Sequence, residues 1–223
     1  MRTQLPSNFS LERARHAQRA IASKVVEKDV LPPVIRRVAG IDVAYYEDTA
    51  IAAAVVIDSE SLRELHSCVR VFKVRFPYVP TLLAFREVYP SWAALRKLDM
   101  DCDVIMVDGN GRLHPFRAGF ACHLGVVVDK PTIGVAKRLL CGSLGKWRDA
   151  TAPVYMDGEI VGMAVKTRKG SRPLYVSVGH KISLKTAVRL VMVYRRKNAK
   201  LPEPLRLAHL RAKDGVRRLL SDD

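Results

Sequence analysis

The spacing of apolar positions divides the chain into helical and strand-like stretches. Leu11, Ala14, Ala17, Ile21 and Val25 recur at helical spacing behind Ser10, a capping residue, with Glu12 in the first turn. This predicts a packing helix over 10–29, stopped by Pro32 and Pro33. Three strand-like runs follow at 34–44 (VIRRVAGIDVA), 51–57 (IAAAVVI) and 65–74, the first two joined by a Glu47-Asp48-Thr49 turn. Thr81 then opens a helix, TLLAFREVYPSWAALRKL, with Leu82, Leu83, Phe85, Leu95 and Leu98 as its buried stripe. Pro90 should kink or divide it.

The central stretch, 103–140, carries the densest pattern. Val104 to Val107 is a short apolar run that ends abruptly at Asp108-Gly109-Asn110-Gly111, a buried strand emptying into a turn. A helix is expected at 120–128 and a second buried strand at 132–136, with Lys137 just past it. Further strands are expected at 153–156, 159–167 and 174–178, with Asp157-Gly158 as a hairpin turn. The pattern closes with helices at 183–196 and 205–220, separated by breaks at Pro202 and Pro204. Antiparallel strands followed by alternating helix and strand imply an α/β fold, a mixed β-sheet with flanking helices. With 223 residues and no repeat or clear linker, a single domain over 1–223 is the economical reading.

Composition changes the picture mainly through charge. Against 22 acidic residues stand 38 Lys and Arg, a formal +16, so a polyanionic partner is expected, most simply nucleic acid. Basic clusters at Lys166, Arg168, Lys169 and Arg172 and at Arg195, Arg196, Lys197 and Lys200 suit phosphate contacts, although solvated faces share that appearance. The four cysteines, Cys68, Cys102, Cys122 and Cys141, show no metal spacing and read as reduced thiols. The start, MRTQLPSNFS, lacks the apolar segment of a signal peptide, and no run approaches the roughly 20 apolar residues of a membrane span. A cytoplasmic protein without membrane contact is expected.

Candidate chemistry sits on acids in apolar segments. Asp42 lies inside a strand-like run, where a carboxylate needs a hydrogen-bonding role, an edge position or a metal. Asp108 sits at a strand's C-terminal end, where ligands of α/β sheets gather, and His114 and Lys137 also lie at or beyond strand ends. Glu87 falls mid-helix, where a surface glutamate is the ordinary reading. Clustered carboxylates on a basic protein suit a hard divalent cation such as Mg²⁺ and a phosphodiester. In Phe76-Pro77-Tyr78-Val79-Pro80, two prolines stiffen a loop whose tyrosine either packs on the core or serves as a wedge or stacking platform for bases.

Six ordered blocks carry a resemblance: VAGIDVA, FPYVPTLLAFRE, VIMVDGNGRLHP, AGFACHLGVVVDKPTIGVAK, VSVGH and LPEPLRLAH. From about Val38 to Leu210 the chain resembles endonuclease V, the deoxyinosine-directed repair nuclease with a ribonuclease H-like fold. The resemblance implies that Asp42, Glu87 and Asp108 bind the metal, with His209 beside it assisting the reaction. It implies that Tyr78, between Pro77 and Pro80, parts the strands at the lesion. Lys137 and His114 would help hold the phosphate region. Leu82, Leu83, Gly109 and Gly119 would form a pocket read largely through backbone. The chain departs from the family pattern at Thr81 and Val88, where glycine is usual, and at Phe116, Asn110 and Cys122. These positions bear on the rim of the base pocket.

The implied activity is Mg²⁺-dependent cleavage of the second phosphodiester bond 3′ to inosine, with Mn²⁺ able to substitute, leaving 3′-hydroxyl and 5′-phosphate ends. Inosine-containing DNA is the expected substrate, RNA the alternative, and a monomer the expected form. Competing readings are an inosine-specific ribonuclease, another ribonuclease H-like nuclease such as a junction resolvase, or a non-catalytic nucleic-acid binder, which leaves Asp42 unexplained.

Overall fold

A computed structural model describes residues 5, 7, 9–168 and 170–221, so Lys169 of the first basic cluster lies outside the described residues. A nine-stranded mixed sheet forms its centre, in the order β3-β2-β1-β4-β5-β9-β8-β7-β6. The expected hairpins appear as β1 (Arg37–Tyr46), β2 (Thr49–Asp58) and β3 (Glu64–Lys73), antiparallel throughout. β4 (Val104–Asp108) lies parallel to β1, and β5 (Thr132–Ala136) parallel to β4. β9 (Leu174–His180) returns antiparallel beside β5 and is followed outward by β8 (Glu159–Val165), β7 (Thr151–Met156) and the short β6 (Ser143–Leu144). β6 has only two residues, too few for an alternating signal in the sequence.

Strand alternation sorts the core onto two faces. Val38, Val104, Met106, Ile133 and Val135 pack with residues of α4 (Leu184–Val193) and α5 (Glu203–Ser221). Ala39, Ile41, Ile105 and Val107 pack with α2 (Leu83–Leu95) and α3 (Phe120–Val128). α1 (Leu11–Lys24) rests against α3.

Four boundaries differ from the sequence reading, each for a local reason. α1 ends at Lys24, because Val25 turns extended and the Val26 N–H reaches His180 Nδ1 at 3.3 Å. β1 starts at Arg37, after the N–H groups of Arg36 and Arg37 have both been taken by Asp103 Oδ2 at 2.8 and 2.9 Å. Pro90 neither divides nor ends α2, since one missing N–H leaves the neighbouring bonds to carry the helix. Pro204 lies inside α5 rather than before it; the first helical turn tolerates proline, whose N–H would be unpaired there.

Gly40 decides how α5 meets the sheet. A Cβ at this position would lie 2.1 Å from the Pro204 carbonyl oxygen, so only glycine lets the start of α5 rest directly on β1. The opposite end of the same face is tied by Asp29, which accepts hydrogen bonds from the Ser183 N–H at 2.7 Å and from the Ser183 and Thr186 hydroxyls at 3.1 and 2.8 Å. Burial pushes this carboxyl up, but the three hydrogen bonds outweigh it and hold its pKa below the ordinary value.

Gly40→Ala should lower the unfolding free energy in urea by about 2 kcal/mol or more, the usual scale of overpacking; unchanged stability would show that α5 does not sit on β1 in this way. A depressed folded-state pKa at Asp29 means its stabilisation is complete above about pH 4 and lost as pH falls through the folded value. Asp29→Asn should therefore melt lower than wild type at neutral pH, and the gap should close as pH falls below about 4.

Candidate active site

The parallel register of β1 and β4 ends at Ile41 opposite Val107, so the next residue of each strand is an aspartate, Asp42 beside Asp108. Both point to the α5 face, two residues beyond Gly40 and Met106 respectively. α5 delivers the third member. From Pro204, seated on Gly40, five helical residues advance about 7.5 Å, close to the roughly 6.7 Å that two strand residues cover from Gly40 to Asp42. His209 accordingly meets Asp42, its Nδ1 donating to Oδ2 at 2.7 Å. A carboxylate only accepts, so Nδ1 carries a proton in this contact. Potential ligand atoms of Asp42, Asp108 and His209 all lie within 4.8 Å of one another.

Glu87 reaches the same end of the sheet from the opposite face, on α2. It stands beside the compact trio rather than within it. Its side chain is buried and accepts from the Tyr45 hydroxyl at 3.0 Å. Burial pushes its pKa up to about 8; the Tyr45 hydrogen bond opposes this, and the charges of Asp42 and Asp108 reinforce it. The Asp108 carboxyl is raised as well, by burial first and then by Asp42, against the pull of Lys137 and His209. Lys137, one residue past β5, donates to Asp108 Oδ2 and forms an ion pair with it.

The donor chemistry fits a divalent cation. Two carboxylates and an imidazole converge, with a third carboxylate adjacent, and the acids lie in a negative field that lysine and histidine balance only in part.

A second recess, about 100 Å³, opens beside this cluster. Tyr78, Thr81, Leu83, Asn110, His114 and Gly119 are among its walls. Of the sequence candidates, Tyr78, Leu83, Gly119 and His114 thus come together here. Leu82 is fully buried behind the recess, and Gly109 packs under the Phe120 ring. Gly119 is required by contact: a Cβ there would meet the Asn110 carbonyl oxygen at 2.3 Å. The His114 ring accepts from the Phe116 N–H through Nδ1 at 3.2 Å and donates from Nε2 to the Thr81 carbonyl at 3.1 Å. Burial pushes its pKa down to about 4, so it is neutral at pH 7.

Sequence reasoning assigned α1 to packing alone, yet it clamps the proline loop. Thr81 has φ 69°, a strained conformation for a β-branched residue. Arg15 donates to its hydroxyl at 2.8 Å, Gln18 to its carbonyl at 2.6 Å, and the Arg15 guanidinium also stacks 4.1 Å from the Phe116 ring centre. Tyr78 is left projecting, 67% exposed, between Pro77 and Pro80. Helical periodicity gave no hint of Gln18, and its burial appears only in the structure. In the second basic cluster, Arg196 is committed elsewhere: it pairs with the buried Glu203 at 2.7 Å and bonds the Leu62 carbonyl.

A sequence model of the endonuclease V family matches residues 19–210. The chain is 61% identical to endonuclease V of Thermofilum pendens over 208 residues, 93% of this chain and 90% of that one. It superposes on the crystal structure of endonuclease V from Streptomyces avermitilis with a TM-score of 0.87 and 36% identity, covering 99% and 100% of the two chains. The Ciona intestinalis endonuclease V, crystallised with a 24-mer DNA containing an inosine followed by a ribo-adenosine, matches with a TM-score of 0.83 and 25% identity over 94% and 98%.

Gln18→Leu should cost about 1–2 kcal/mol by leaving the Thr81 carbonyl short of a donor. Hydrogen exchange at residues 76–82 should quicken with it, and unaltered exchange there would disprove the clamp.

Proposed function

The chain belongs to the endonuclease V family and is an endonuclease, and from that premise we propose that it cuts inosine-containing DNA with the help of Mg²⁺, Mn²⁺ substituting. The scissile bond is the second phosphodiester 3′ to the lesion, and the products carry 3′-hydroxyl and 5′-phosphate ends. The observation that carries this reading is the convergence of Asp42, Asp108 and His209 within 4.8 Å, with Glu87 alongside, together with a recess lined by Gly119 and an exposed tyrosine.

In this reading Asp42, Asp108 and Glu87 hold the ion. When bound, it supplies a nucleophilic water at neutral pH and polarises the phosphate. Asp42 orients His209 through Nδ1, leaving Nε2 able to take a proton from the attacking water. Lys137 balances Asp108 and offers its ammonium to the phosphate. Tyr78, stiffened by Pro77 and Pro80, enters the stack and favours extrusion of the lesion. The extruded base is received by Leu83 and Gly119, with Leu82 and Gly109 supporting the walls, and the close backbone reads its Watson–Crick edge. His114 fixes Thr81 and so the mouth of that recess. The protein acts in the cytoplasm as a monomer. No helix among the described residues is long and apolar enough to cross a membrane.

One observation favours a second substrate. The Ciona relative was crystallised with a ribonucleotide following the inosine, so inosine-containing RNA is the alternative to test. Labelled DNA and RNA strands, each with one inosine, should be incubated with Mg²⁺ or with EDTA and the cut mapped. Cleavage of the DNA strand only with Mg²⁺, two phosphodiesters 3′ of the inosine, is expected; cutting of RNA alone would reassign the enzyme.

Asp108→Ala should reduce cutting to background while binding persists, since it removes both a ligand and a negative charge facing the phosphate. Wild-type cleavage by this variant would remove the metal site from the mechanism. Tyr78→Ala should weaken binding to inosine-containing duplex by roughly tenfold without changing the Mg²⁺ requirement; a variant that still prefers inosine duplex to undamaged duplex by the wild-type margin would argue against a wedge.

A further inference from the structure

α2 has two working faces. Glu87 faces Asp42 and Asp108, while Phe85, Tyr89 and Trp92, spaced four and three residues apart, line up along the other side. Their exposure is unusual for large aromatics, 63% at Tyr89 and more than a third at the other two. Together with Val88, His123 and Val127 they wall a groove of about 310 Å³ between α2 and α3. The groove continues past Phe85 and Tyr89 into a second recess of about 320 Å³, bounded by Phe72, Phe76, Lys73, Arg75 and Arg86. Rings touch along its length: Phe76 with Phe85, Phe85 with His123, Phe72 with Tyr89, and Tyr89 with Trp92, at centroid distances of 5.6–6.1 Å.

Charge indicates the occupant. Arg70 and Arg96 already lie 6.0 Å from the Phe72 and Trp92 ring centres, and Lys73 is 81% exposed. Carboxylates border the groove at two places: Asp48 pairs with Lys73 at 3.7 Å, and Asp99 and Asp101 line the space beyond Trp92. At the near end Phe76 opens directly into the Pro77-Tyr78 loop. His123 adds no charge to the floor, since burial and the neighbouring His114 push its pKa down to about 4. Flat apolar faces bordered by arginine and lysine suit a polymer of planar rings on an anionic backbone. They suit a protein partner less well, because such an interface would bury the cations.

We propose that the groove between α2 and α3 is a stacking platform for unpaired bases of the nucleic acid, outside the recess that receives the lesion. From Phe85 to Trp92 the helix advances about 10 Å, space for two or three splayed bases. The occupant is the single-stranded segment freed when the Tyr78 loop opens a duplex, or the flank of a strand already single. Stacking on rings alone reads no sequence, so the platform extends the grip without narrowing the choice of flanking bases. This inference rests on the nucleic-acid reading above, but its test does not require cleavage.

The probe is an oligothymidylate of about twelve nucleotides, within the usual site size, containing no inosine and used in EDTA. In a Trp147→Phe background Trp92 is the sole indole. The oligothymidylate should quench its fluorescence, whereas heparin, a polyanion without bases, should bind without quenching. Tyr89→Ala combined with Trp92→Ala should weaken oligothymidylate binding at least tenfold by fluorescence anisotropy and leave heparin affinity unchanged. Tyr89→Phe should retain it. Melting temperatures report whether the variants fold. Equal oligothymidylate affinity in wild type and double variant would overturn the proposal, as would an equal loss toward heparin. So would a wild-type dimer in sedimentation that the double variant dissolves, since a second copy would then own the groove. Cutting of a short inosine strand, read separately, reports on the active site and not on the platform.

Discussion

Two carboxylates forced side by side where the parallel pairing of two strands ends are the constraint from which the rest of the site follows. With ligand atoms no more than 4.8 Å apart, two full negative charges repel by roughly 3 kcal/mol at an effective dielectric near 20. That is a large fraction of the ordinary 5–15 kcal/mol stability of a domain. The chain offsets it with Lys137 on Asp108 and His209 on Asp42, each supplied by a different element. Burial first, and this repulsion after it, raise the pKa values of Asp108 and Glu87. A cation binding there would relieve that field, so the stress of the free protein and its appetite for a divalent ion are the same electrostatic fact.

Geometry delivers these groups through backbone contact more than through side-chain packing. The central β1, β4 and β5 strands are the parallel ones, so their ends gather Asp42, Asp108 and Lys137 at one margin of the sheet. α5 settles on Gly40 with no intervening side chain, which sets His209 at the level of Asp42. At the start of α5, the buried Glu203 is held between Arg196 and Arg206; burial raises its carboxyl, but these two guanidinium groups bring it below the ordinary value. On the other face, α1 holds Thr81 in a left-handed conformation and so fixes where Tyr78 projects.

Much of this was legible in the order of residues. Apolar runs ending at Asp108 and surrounding Asp42 announced strands carrying misplaced acids, and periodicity located every helix and all strands but the two-residue β6. Ends were read less well, because they depend on distant partners: Asp103 takes the N–H groups that delay β1, and His180 draws the chain off α1. Gln18 and Arg15 went unnoticed for the same reason, as their targets lie more than sixty residues away. Arg196 looked like a phosphate contact until Glu203 claimed it.

The sequence by itself determined which residue types were present to do chemistry, the alternation that buries one face of each strand, and a family pattern spread over six blocks. Those are local properties, set by side-chain period and by composition. The resemblance put His209 beside the acids; tertiary structure decided that it bonds Asp42 directly while Glu87 stands outside the compact trio, and that the aromatic side of α2 remains uncovered. Sheet order, strand register and helix seating are relations between segments far apart in the chain. No window of sequence contains them, because each is settled only when the competing contacts of the whole fold are satisfied together.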